Sequence, residues 1–146
     1  MSIGALAPDF ELKNRKGESV RLSDYRGKFV FLNFWATWCT PCIRELPSII
    51  RLKNKINNQR FDVLLVSVDL GGANVYGPFL KKRGFDILNS AGDSQRTLMS
   101  AVTKSTGIPV TILINADSKV IGSFIGPAEW DSAAALELIS YFLSQY

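Results

Sequence analysis

Lys28-Phe29-Val30-Phe31-Leu32-Asn33-Phe34-Trp35 runs directly into Ala36-Thr37-Trp38-Cys39-Thr40-Pro41-Cys42, and the reading of this stretch decides the fold. Its first half is apolar at almost every position. A strand of that kind has no polar side to turn to water, so it belongs inside a sheet covered on both faces, as parallel-type strands do. From Thr40 to Asn57 the spacing changes. Leu46, Ile49, Ile50 and Ile56 recur at near-helical intervals, with Pro47 expected to kink the helix. Phe61 to Val68 is a second apolar strand. Strand, helix and strand in that order predict a right-handed βαβ unit. The cysteine pair falls at the junction of the first strand and its helix.

Upstream, Ala7 to Arg26 predicts a β-hairpin and an approach turn. Phe10 and Leu12 alternate with polar neighbours, Lys16-Gly17 supplies the turn, and Val20 and Leu22 alternate again. Downstream, Asp69 to Ala73 reads as a glycine-containing loop, Val75 to Arg83 as a helix, Phe85 to Leu88 as a short extended piece and Gln95 to Val102 as another helix. Gly107-Ile108-Pro109 opens a β-branched strand that runs to Ile114. Asn115-Ala116-Asp117-Ser118 turns it, and Lys119 to Ile125 returns antiparallel. Asp131 is expected to cap a last helix, Ser132 to Gln145, with Ala135, Leu138, Ile139 and Phe142 on one face. The fold class is therefore α/β: a central mixed β-sheet flanked by helices on both faces, in one domain over residues 1–146.

Composition narrows the function. The net charge of +4 is scattered, and the longest basic run, Lys81-Lys82-Arg83, has no aromatic residues interleaved with it. It reads as a solvated helix end, so no nucleic-acid partner is expected. The chain has no histidine, which excludes Cys-His and Ser-His catalytic pairs. A structural zinc ion wants four Cys or His ligands, and two cysteines cannot supply them from one chain. Neither a metal nor a cofactor is expected. Met1-Ser2-Ile3-Gly4-Ala5 lacks a basic segment followed by an apolar one, and no apolar run is long enough to span a bilayer. The protein is expected to be cytoplasmic, or to have a leader or anchor outside this sequence.

Cys39 and Cys42 are the only cysteines. Sulfurs two residues apart can close a small disulfide ring and open it again. Cys39 should sit at a helix N-terminus, where free N–H groups and the helix dipole favour a thiolate over its ordinary pKa of about 8.5. That makes Cys39 the expected nucleophile, attacking a substrate disulfide. Cys42, one turn further in and more buried, would resolve the mixed disulfide. Pro41 suits the start of a helix because its missing N–H would be unpaired there, and Trp38 can line a docking surface. A passive bridge is the alternative, but so short a loop would add little stability.

Phe34-Trp35-Ala36-Thr37-Trp38-Cys39-Thr40-Pro41-Cys42 resembles the active-site segment of thioredoxin-like proteins. Ala7-Pro8-Asp9-Phe10-Glu11-Leu12, Leu22-Ser23-Asp24-Tyr25-Arg26-Gly27-Lys28 and Ile108-Pro109-Val110-Thr111 extend the resemblance to the TlpA/ResA group of bacterial thiol-disulfide oxidoreductases. Gly126-Pro127-Ala128-Glu129-Trp130 is more similar to the TlpA branch. The resemblance implies a thioredoxin-like fold with an N-terminal hairpin and an inserted helix-strand element. It implies that Pro109 is a cis-proline facing the cysteines and that the Ile108 backbone meets an extended substrate segment. It implies a half-buried Glu45, three residues after Cys42, that exchanges a proton when Cys42 reacts. Asn33 departs from thioredoxins proper, where the matching strand position holds a buried aspartate. The substrate-binding set is thus Trp38, Thr40, Pro41 and Ile108, and the catalytic set is Cys39, Cys42, Glu45 and Pro109.

The apolar or uncharged Thr40, Pro41 and Ile108 offer the thiolate no extra charge, which predicts a reductase rather than a dedicated oxidant. By resemblance, the partners are disulfide-bearing client proteins, with a membrane thiol transporter as electron donor. The clients would belong to cytochrome maturation or to copper delivery to cytochrome oxidase. The protein would be a monomer facing the periplasm from an N-terminal anchor. Two rivals remain. A thiol peroxidase would need a hydroxyl residue and a proline where Ala36 and Leu32 stand. A Cu(I)-binding module could use the two thiolates, since Cu(I) is soft, but copper chaperones of this fold generally add a histidine.

Overall fold

The structure, a computed structural model, describes residues 3–145. Met1 and Ser2, which head the stretch read for a leader, and Tyr146 lie outside the described residues. The elements follow in the order β1 (Glu11–Lys13), β2 (Ser19–Arg21), a 3-10 turn (Leu22–Tyr25), β3 (Phe29–Trp35), α1 (Thr40–Lys55), β4 (Phe61–Ser67), α2 (Ala73–Arg83), β5 (Asn89–Gly92), α3 (Thr97–Val102), β6 (Val110–Ile114), β7 (Val120–Ile125) and α4 (Ala133–Ser144). They build one seven-stranded sheet in the order β2-β1-β5-β4-β3-β6-β7.

β3 is central, and every one of its residues is buried. It pairs parallel with β4 from Phe29↔Phe61 to Trp35↔Ser67, and antiparallel with β6 from Val30↔Ile114 to Phe34↔Val110. Strand pleating sends alternate side chains to opposite faces. Phe29 meets Phe142 of α4, Asn33 meets Glu45 of α1, and Trp35 meets Phe79 of α2. Three helices therefore share one face of the sheet. Val30, Leu32 and Phe34 point the other way and are equally buried, on the side where Tyr25 of the 3-10 turn lies beside Asp62. β6 and β7 form the expected antiparallel pair, with the bulge near Ile114. At its start β7 also takes the N-terminal segment, through the Leu6↔Lys119 bridge.

Two details differ from the sequence reading. The short strand expected at Phe85–Leu88 lies four residues later, as β5 at Asn89–Gly92, where it pairs parallel with β4 from Leu64↔Asn89 to Ser67↔Gly92. Leu88 is buried and carries the apolar signal, but the backbone pairing falls on Asn-Ser-Ala-Gly. Asp131 does not cap α4. Ser132 does: its Oγ accepts the Ala135 N–H at 3.2 Å, while Asp131 Oδ2 accepts Arg51 Nε at 2.7 Å. Ser132→Ala should therefore cost about 1 kcal/mol in urea unfolding. No loss of stability in Ser132→Ala would contradict its role as the cap.

Candidate active site

The first core strand ends at Trp35, and a tight turn carries the chain to the helix. The Cys39 N–H donates to the Ala36 carbonyl at 3.1 Å, closing residues 36–39. Cys39 then occupies the N-cap of α1. Its Sγ accepts the Cys42 backbone N–H at 3.3 Å, the place where a serine or aspartate oxygen would ordinarily sit. Pro41 lies in the first turn of α1, as its missing donor favours. Cys39 and Cys42 form a disulfide with Cα atoms 5.3 Å apart, so the structure holds the oxidised state. Cys39 keeps 6% of its surface exposed and Cys42 none. An incoming sulfur thus reaches Cys39 first.

The expected substrate-facing residues gather around this sulfur. Trp38 is 64% exposed, and Thr40 and Pro41 are exposed as well. The Ile108–Pro109 bond is cis, and the Ile108 carbonyl oxygen lies 3.8 Å from Cys39 Sγ. The return from β7 closes the rim: the Gly126 N–H donates to the Pro109 carbonyl at 2.9 Å.

Glu45 departs from its expected half-buried state, for only 2% of it is exposed. Asn33 Nδ2 donates to its Oε1 at 2.8 Å. The Ala128 N–H at 3.0 Å and Trp130 Nε1 at 3.2 Å donate to Oε2. Asn33 Nδ2 also donates to Thr111 Oγ1 at 2.9 Å. The Asn33 amide on β3 is thus a donor to the acid on the facing helix. Ser48, one turn on, accepts the Trp130 backbone N–H at 3.1 Å and donates to the Glu45 carbonyl at 2.7 Å. Trp130 itself packs edge-on against Phe31 and Phe124. Glu45 is therefore the centre of a network joining β3, α1 and the segment after β7.

Sequence reading missed Trp130 and Ser48 as partners of this acid. Their signal is a spacing of roughly one helical turn between Glu45 and Ser48, which a sequence alone does not tie to residues 128–130. Among the described residues no cluster of metal-ligating side chains exists, and no helix is long and apolar enough to cross a membrane.

Burial pushes the Glu45 carboxyl above its ordinary range, and the hydrogen bonds from Asn33, Ala128 and Trp130 pull it partly back. A carboxyl that holds its proton more tightly when folded adds stability below the ordinary carboxylate range. That contribution is lost as the pH rises through the raised value. Urea unfolding of the wild type and Glu45→Gln from about pH 4 to 8 should show it. The wild type loses ground to the variant as the pH rises and then levels off. A difference that stays flat across this range would contradict the raised value.

The AhpC/TSA family pattern matches residues 3–130. A thiol-disulfide oxidoreductase ResA from Geobacillus thermodenitrificans is 39% identical over 122 residues, covering 82% of this chain and 67% of that protein. ResA from Bacillus subtilis is 36% identical over 121 residues, covering 83% and 66%. Among solved structures, a chain from Chlorobium tepidum assigned as thiol:disulfide interchange protein DsbE aligns with a TM-score of 0.74 at 28% identity, covering 99% and 97%. The thioredoxin domain of a Bacteroides vulgatus thiol-disulfide oxidoreductase aligns at 0.81 with 21% identity over 97% and 98%, which speaks for the thioredoxin-like fold alone. These relatives carry the ResA name, and the TlpA branch expected from residues 126–130 gains no support from them. With its helix-capping dithiol on a thioredoxin-like sheet, the chain belongs to the AhpC/TSA family, among relatives of the ResA thiol-disulfide oxidoreductases.

Proposed function

We propose that the protein reduces disulfides in client proteins through Cys39 and Cys42. The observation that carries this reading is the Cys39 sulfur at the N-cap of α1, the more accessible of two bonded sulfurs. In the reduced protein the helix N-terminus favours a thiolate on Cys39. That thiolate attacks one sulfur of the client disulfide, and the other leaves as a thiolate. Cys42 then loses its proton and attacks Cys39 Sγ. The client departs as two thiolates that take their protons from water, and the protein is left with the disulfide seen here. The oxidised client gains two electrons, and the dithiol loses them.

Glu45 takes up the proton that Cys42 gives up. It stands three residues on, along the same helix face, and its burial makes the carboxyl a stronger base than an exposed one. Ile108 offers backbone to an extended client segment beside Cys39, and Trp38 provides an apolar platform. Thr40 and Pro41 place no charge near the sulfur, which keeps the pair on the reducing side. The clients are proteins of cytochrome or copper-site maturation, outside the cytoplasm. A membrane thiol transporter returns the electrons, and the protein acts as a monomer held by an anchor beyond this sequence.

Cys39→Ser should abolish reduction of insulin disulfides while leaving the fold intact. Cys42→Ser should accumulate mixed disulfides with clients, which mass spectrometry identifies. Persisting reduction by Cys39→Ser would overturn the nucleophile assignment. Rapid hydrogen peroxide turnover would favour a peroxidase, and stoichiometric Cu(I) retention against a competing chelator would favour a copper carrier.

A further inference from the structure

We infer that Asp69 is a positioning residue for the dithiol: its carboxylate holds the Ala36–Cys39 turn, and through it the Cys39 sulfur, in line with the N-terminus of α1. This deepens the reading of Cys39 as a nucleophile and rests on it. The argument begins with the sheet. β3 and β4 pair parallel up to Trp35↔Ser67, and the Val68 N–H adds one more bond to the Trp35 carbonyl at 2.9 Å. Beyond that the backbones part, because the chain after Trp35 must turn toward the helix. Two residues further along both strands, Thr37 and Asp69 face each other, and a side chain takes over where the ladder stops.

The Thr37 N–H donates to both Asp69 oxygens, at 3.2 Å to Oδ1 and 3.1 Å to Oδ2. Thr37 Oγ1 donates to Oδ1 at 2.7 Å. Ser67 Oγ donates to Oδ2 at 2.6 Å and accepts the Asp69 N–H at 3.0 Å, which locks the carboxylate to its own strand. Asp69 is 3% exposed. A carboxylate taken that far from water is costly unless donors converge on it, and here they do. The donor side of this arrangement is the turn itself. Its two inner residues are Thr37, which Asp69 grips, and the exposed Trp38; its last residue is Cys39, closed by the N–H bond to Ala36. Freeing Thr37 frees the only segment between the fixed strand end and the helix cap. A small displacement of a reacting atom is enough to cost a large factor in rate.

The test compares Asp69→Asn with Asp69→Ala. Both remove the charge, so any electrostatic effect on Cys39 is common to them. Only the asparagine keeps a carbonyl oxygen for the Thr37 N–H. Three readouts are taken: thermal unfolding of the oxidised proteins, the pH profile of Cys39 alkylation by iodoacetamide in the reduced proteins, and the rate of insulin-disulfide reduction. The expected result is a Cys39 ionisation midpoint higher in Asp69→Ala than in Asp69→Asn. Insulin reduction should be about tenfold or more slower in the alanine variant. A residue with a merely structural role would lower the unfolding temperature and leave the alkylation profile where it is in both variants, and that result overturns the inference.

Should Asp69→Ala fail to fold, Thr37→Val decides in its place, since it keeps the charge and deletes the Oγ1 donor. A loss of about threefold in insulin reduction with an upward-shifted alkylation profile supports the tether, and an unchanged profile and rate refute it. If the wild type reduces no insulin, the proposed activity fails, while the alkylation comparison still decides on Asp69.

Discussion

A helix N-terminus must find acceptors for its first N–H groups, and in this protein one acceptor is sulfur. The Cys42 N–H pointing at Cys39 Sγ does two things with one contact. It satisfies a backbone donor that would otherwise be unpaired, and it surrounds the reacting atom with the positive end of α1. The rest of the molecule serves that contact. A strand buried along its whole length fixes where the chain leaves the sheet. The turn over residues 36–39 converts the direction of the strand into that of the helix. The Ile108 carbonyl and Pro109 complete the wall on the far side of the sulfur.

Glu45 shows the opposite compromise. A carboxyl in the core carries a large desolvation penalty, and a polar network there is worthwhile only when nearly every member is satisfied. Three N–H donors from β3 and from the segment after β7 satisfy the carboxyl, while the Asn33 side-chain oxygen is left buried without a partner. The carboxyl still sits above its ordinary range, so burial outweighs the hydrogen bonds. The outcome is a group that binds a proton more readily than a surface glutamate. It also ties the helix of the dithiol to the loop that flanks Pro109. Burial supplies the proton affinity, and the three contacts supply the mechanical linkage.

The strand-turn-helix core was legible in the sequence because its signals are strong and local. A short, almost wholly apolar run of aromatic and branched residues favours a covered strand, and Thr-Pro ahead of an apolar periodicity favours the start of a helix. What escaped depends on partners distant in sequence. β5 is built from Asn-Ser-Ala-Gly, residues with little preference for extended backbone, and becomes a strand because β4 offers it an edge. Asp69 looked like the first residue of a glycine-containing loop; only the parallel register brings it opposite Thr37. Glu45 could be placed on the dithiol's helix face by counting, but not its depth, since Trp130 and Ala128 cover it from more than eighty residues away. Ser132 and Asp131 are both good caps, and the choice between them was made by Arg51, which engages the aspartate.

The central claim is that the fold, and not the Cys-Thr-Pro-Cys segment by itself, makes Cys39 acidic. Alkylation of Cys39 in the reduced wild-type protein, resolved by mass and followed against pH in buffer and again in strong denaturant, tests it most directly. The account predicts a midpoint in buffer below the ordinary thiol value of about 8.5 and a return to that value once the helix is gone. The same midpoint in both solvents would contradict it.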